Sequence, residues 1–135
     1  MQVSRVVFAA LAWLFVGLVV LQVFYAGMGL LGGAGMSQHV DFGYVVAAVP
    51  LLMVISGAIA RAGRLAWWSA GLLLLAQVQT ILPWFSEDIP ILAALHPVNA
   101  LAIFWVALLV ARRAIAFARR HVERAEHVRA QPTAT

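Results

Sequence analysis

Four apolar stretches, each about as long as a bilayer's hydrocarbon requires, fill most of this 135-residue chain. A helix crosses roughly 30 Å of hydrocarbon with about 20 residues. The first stretch runs from about Val6 to Leu31, the second from about His39 to Ala60, the third from Leu65 to Phe85, and the fourth from Ile91 to Ala111. Short breakers separate them. Gly32-Gly33-Ala34-Gly35 is a flexible link, and Arg61-Ala62-Gly63-Arg64 a tight basic turn. Ser86-Glu87-Asp88-Ile89-Pro90 is an acidic turn in which Ser86 or Asp88 is expected to cap the next helix. The pattern predicts an all-α membrane protein with four transmembrane helices in an up-down-up-down bundle. Residues 1–111 form that domain, 112–130 a basic extension of the fourth helix, and 131–135 a disordered tail.

Composition agrees. Hydrophobic residues make up 64% of the chain and charged residues 10%, and a soluble domain of this size has too little interior to hide them. Arg5, an apolar run and small residues resemble a signal peptide, but Val6 to Leu31 is too long for a signal core, so an uncleaved first helix is expected. Cysteine is absent, which excludes disulfides, iron–sulfur clusters and thiolate zinc sites.

All nine basic residues are arginines. Arg5 precedes the first span, Arg61 and Arg64 join the second to the third, and Arg112, Arg113, Arg119, Arg120, Arg124 and Arg129 follow the fourth. With four spans these positions share one side, so both termini are expected in the cytoplasm of a bacterium, with the chain in its inner membrane. Asp41, Glu87 and Asp88 fall on the outer side. Tyr44 and Trp84 suit the outer aromatic belt, Trp67 and Trp68 the inner one. The pI near 11.2 reflects this topogenic charge, and no basic groove for nucleic acid is expected. Beyond Ala111, Ile115, Ala118 and Val122 share a helical face, Glu123 and His127 stand at i,i+4, as do Arg120 and Arg124, and the arginines are expected to snorkel to headgroups.

Against this apolar background, one polar signature occurs twice. Gln22 is followed 17 residues later by His39, and Gln79 is followed 17 residues later by His96. A shift of 57 residues lays one helical hairpin on the other and superimposes both pairs. Polar groups inside a membrane are costly and mark function. Gln79 stands about 9 Å below the outer boundary and His96 about 8 Å, by helical rise. The second and fourth helices run parallel and can face each other across a bundle. Two imidazoles on facing helices suit the axial positions of a haem iron. That makes His39 and His96 candidate metal ligands. One turn beyond them stand Gly43 and Ala100, small residues that leave clearance for a flat macrocycle, and Gly27 and Gly29 can admit a ring edge. The Gln22 and Gln79 amides are expected behind the ligands, accepting the other imidazole N–H, or else holding a propionate or a ligand carbonyl. The expected function is therefore binding of b-type haem for electron transfer or haem handling, with a quinone or a larger membrane complex as partner.

Other readings come from other classes. Gln–His bonds between helices also act as plain glue, worth about 1 kcal/mol each. The chain would then be a non-catalytic accessory subunit of a larger respiratory or transport complex, without a cofactor of its own. A small-solute transporter is a third option. Pro50 and Pro97 are expected to free the carbonyls of Val46 and Ala93 and kink their helices. Asn99 is expected to satisfy a neighbouring polar group, Gln77 to face away from Gln79, and His121 and His127 to be solvated. His39 and Asp41 lack the adjacent-turn spacing of a metal pair. The sequence contains no phosphate loop, no nucleophile set and no paired intramembrane carboxylates.

Gln-Val-Phe-Tyr-Ala-Gly (22–27), His39 with Phe42-Gly43-Tyr44, Gln79 and Leu95-His96-Pro97-Val98-Asn99 resemble a group of small uncharacterised bacterial four-helix membrane proteins, over about Gln22 to Val110. That resemblance implies the fold. More distantly, the chain is similar to one four-helix half of haem A synthase, whose second and fourth helices carry histidines near the outer side. Those enzymes have two such halves and an acidic residue one turn before the first histidine, where this chain has Met36. The similarity therefore implies haem binding rather than haem oxidation.

Overall fold

The computed structural model describes residues 2–32 and 35–130, with side chains described through Arg119. Its elements are α1 (Gln2–Leu30), α2 (Gly35–Ile59), α3 (Arg64–Ile81), a 3-10 turn at Leu82–Phe85, α4 (Pro90–Ala93) and α5 (Leu95–Ala130). Four segments are long and apolar enough to cross a membrane: Gln2–Leu30, Gly35–Ile59, Arg64–Phe85 and Pro90–Arg119. The predicted all-α, four-span architecture is thus present.

The turns follow from their residues. Gly32 takes φ 86° after α1, a left-handed value open to glycine. The helix resumes at Gly35, earlier than the expected link allows. Gly35 is buried, and a Cβ there would lie 2.6 Å from both the Tyr25 carbonyl oxygen and Met28 Cβ. At the other end of α2, positive φ at Arg61 and Gly63 reverses the chain within three residues.

Two local expectations are corrected in the fourth span. Neither Ser86 nor Asp88 caps it. The helix opens at Pro90 after Ile89, with no side-chain cap, because proline presets φ and lacks the N–H that a first helical position leaves unpaired. α4 ends after one turn, and α5 starts anew at Leu95. Pro97 therefore lies in a first turn, where its missing N–H has no partner to lose, and it kinks no helix interior. Pro50 differs, being fully buried inside α2. It deprives the Val46 carbonyl of a helical donor, and the next carbonyl, of Ala47, accepts a bond from Gln77 Nε2 at 3.3 Å. That bond ties α3 to α2.

The helices form a square. α1 packs on α2 and α5, and α3 packs on the same two. Among the described residues no Cα of α1 comes within 8 Å of α3, nor any of α2 within 8 Å of α5. Helices equivalent under the 57-residue shift therefore stand on diagonals. The core obeys the same shift. Ala12 and Ser69, Phe15 and Leu72, Val19 and Ala76, Val46 and Ile103, and Met53 and Val110 are all buried, and each pair is 57 apart. Burial repeats although identity does not. In lipid such packing, rather than transfer from water, holds helices together.

Buried side chains concentrate toward the end that carries Arg5, Arg61 and Arg64. On α1 they stop at Val19, and on α5 they begin at Ile103. At the opposite end the polar residues begin. Trp67 and Trp84 stand exposed at the two ends. The helix continues unbroken to Ala130. The predicted pairings of Arg120 with Arg124 and Glu123 with His127, the faces of His121 and Val122, and the tail from Gln131 lie outside the described side chains or residues.

Candidate functional site

Beyond the last core layer of Val19, Val46, Ala76 and Ile103 lies a layer of half-buried polar side chains. Gln22 follows Val19 by one turn and Gln79 follows Ala76, while Asn99 precedes Ile103. His39 lies in the second turn of α2, and His96 in the first turn of α5.

Each hairpin makes the same bond. The His39 Nδ1 lies 3.1 Å from the main-chain oxygen of Gln22, and the His96 Nδ1 lies 3.0 Å from that of Gln79. A carbonyl oxygen only accepts, so each Nδ1 carries the proton and donates. In the neutral ring Nε2 is then the unprotonated nitrogen, with its lone pair available. The two rings meet across the diagonal. Their centroids are 6.0 Å apart and their planes 71° to one another. The sequence repeat thus brings both predicted histidines to one place.

The glutamines act differently from expectation. It is their backbone, not their amide, that holds the imidazoles. Gln22 Nε2 donates to the His39 carbonyl at 2.6 Å, so α1 and α2 exchange bonds in both directions. Gln79 Oε1 accepts from Asn99 Nδ2 at 2.7 Å, and the same nitrogen lies 2.9 Å from the Leu75 carbonyl. The position equivalent to Asn99 in the first hairpin is Phe42, which has no donor to give. Gln22 Oε1 is accordingly buried without a partner. Phe42 instead packs edge-on against Tyr25, with centroids 5.8 Å apart.

Gly43 is needed, but for another reason than macrocycle clearance. A Cβ at Gly43 would stand 2.7 Å from Gln22 Nε2, so the glutamine amide occupies the space that glycine leaves. Ala100 is half-buried at the equivalent place. Gly29 is filled by Met36, whose backbone would lie 2.9 Å from an added Cβ. Gly27 faces open space, in an apolar hollow of about 400 Å³ with Phe24, Met28 and Leu31. Among the described residues, no three His, Asp or Glu side chains converge as a metal set.

Sequence reasoning found the histidines, the glutamine positions and the role of Asn99 in satisfying a neighbour. It missed the main-chain anchors and the seat of Gln22 on Gly43. Main-chain acceptors carry no residue signature, so only the constant spacing of 17 pointed to them.

The model of a family of unknown function (DUF6220) matches residues 22–85. The match includes Gln22, His39 and Gln79, ends before His96, and fits the resemblance to an uncharacterised family. No curated protein and no solved structure matches the chain, so the similarity to haem A synthase has no support from these comparisons.

Proposed function

We propose that the chain is a bacterial inner-membrane protein that binds b-type haem between His39 and His96. The observation that carries this reading is the diagonal pair of imidazoles, each with Nδ1 donated to a main-chain carbonyl and Nε2 left unprotonated. Metal-bound histidines have this arrangement, in which the outer partner fixes tautomer and ring direction. The rings stand 6.0 Å apart, centroid to centroid, close enough that one metal ion could be reached from both. Two nitrogens alone do not close a zinc site. They suit a metal whose remaining positions a macrocycle fills.

When bound, such a haem would supply one-electron chemistry, and His39 and His96 are the residues that would hold its iron. The residues of this chain then hold the group and keep it in low dielectric. A quinone or a larger membrane complex is the partner that such electron transfer requires. By the arginine distribution both termini face the cytoplasm, and the histidine pair lies in the outer half of the membrane.

The absorption spectrum of the protein, purified after haem-replete expression, is the test. A low-spin spectrum is expected, and His39→Ala and His96→Ala should each abolish it while the protein still inserts. A colourless preparation would overturn the proposal and favour the accessory-subunit reading, in which the same hydrogen bonds only lock the bundle.

A further inference from the structure

The opposite end of the bundle holds a buried arginine with no counter-charge among the described side chains. Arg5 is only 6% exposed. Its Nε is buried with no hydrogen-bond partner, and its guanidinium lies 4.7 Å from the centre of the Phe117 ring. An aromatic face offsets part of a buried cation's lost hydration, but it accepts none of the five N–H bonds that a guanidinium can donate. The acids whose side chains are described, Asp41, Glu87 and Asp88, all belong to the histidine end. The other charged side chains described at that end of the bundle are arginines. Arg113 lies 5.2 Å over the Trp68 ring, and Arg112 and Arg119 are exposed on the same helix. α1 begins at Gln2, so the unpaired N–H groups of its first turn add positive potential beside the guanidinium.

We propose that Arg5 anchors a phosphate site at this end of the bundle, filled by the headgroup phosphodiester of an anionic phospholipid. A planar guanidinium matches a phosphate with two parallel bonds. The position also favours a lipid over a free anion. Arg5 lies in the first turn of α1, at the very end of that candidate span, and Val3, Val6 and Val7 beside it are exposed at 75%, 54% and 44%. They offer an apolar surface to an acyl chain. Basic pockets between helices on the cytoplasmic side bind anionic headgroups by this chemistry.

The test is native mass spectrometry of the full purified chain with phosphatidylglycerol or phosphatidylcholine of matched acyl chains. The wild type should retain phosphatidylglycerol preferentially. Arg5→Gln should weaken that retention about tenfold or more, the loss of a charge-assisted bond. Arg5→Lys, which keeps the charge without the planar fork, should fall between. Arg61→Gln, in the exposed turn, should leave retention unchanged. Equal retention by Arg5→Gln and the wild type, or an equal loss in Arg61→Gln, overturns the site. If Arg5→Gln does not fold, the thermal midpoint of the wild type decides. A rise with phosphatidylglycerol vesicles and none with phosphatidylcholine or inorganic phosphate supports the proposal. No rise with any of them overturns it, and an equal rise with inorganic phosphate overturns the lipid as the source.

Discussion

Gly43 and Gln22 are one unit, and neither can be read without the other. Because an added Cβ would meet the Gln22 amide at 2.7 Å, Gly43→Ala should displace that amide and break its bond to the His39 carbonyl. The expected cost is about 1–3 kcal/mol of bundle stability, measured by denaturation in detergent, and an unchanged midpoint would contradict the packing described. The glutamine side chains make the opposite prediction for the imidazoles. Gln22→Ala and Gln79→Ala retain the main-chain carbonyls that hold His39 and His96, so they should preserve any haem spectrum while losing about 1 kcal/mol each of interhelical bonding. Asn99→Leu should likewise cost about 1 kcal/mol, by removing the donor to Gln79 Oε1. The histidines were legible because polar residues stand out against an apolar background. The carbonyls behind them were not, since every residue has one.

The elements were legible wherever apolar length decides, and illegible where a single backbone clash does. Gly35 belongs to the second kind. Its sequence context reads as a flexible link, yet it is buried against the Tyr25 carbonyl and Met28, and it sets the spacing of α1 and α2. Gly35→Ala should therefore destabilise by about 1–3 kcal/mol, because a helix carbonyl cannot move aside as a side chain can. A circular-dichroism melt of the variant checks this, and a wild-type melting point would show that the hairpin tolerates a wider turn. The fourth span was misjudged at its start for a related reason. Ser86 and Asp88 are good capping residues, but Pro90 fixes where the chain can first turn helical. The interruption at Ala94 then lets α5 begin immediately before His96, which puts that ring at a helix start rather than within one.

For the whole molecule, the 57-residue repeat was visible only in two polar pairs, because leucine and valine matches carry little information in a membrane helix. Burial reveals its full extent, from Ala12 and Ser69 to Met53 and Val110. Orientation rests on arginine placement, and single cysteines at Ser37, Glu87 and Ala130 test it. The first two should react with an impermeant reagent added to intact cells and the third should not, and labelling of Ala130→Cys from outside would reverse the topology. The arrangement of the bonds also bears on how the chain is made. Each clamp, Gln22 with His39 and Gln79 with His96, closes inside one hairpin, whereas the two imidazoles meet only across the diagonal. A ribosome delivering the chain from its N-terminus can thus release a first hairpin already locked to itself, and then a second. The meeting of the rings requires both hairpins, so a group captured there would distinguish a finished protein from a half-inserted one.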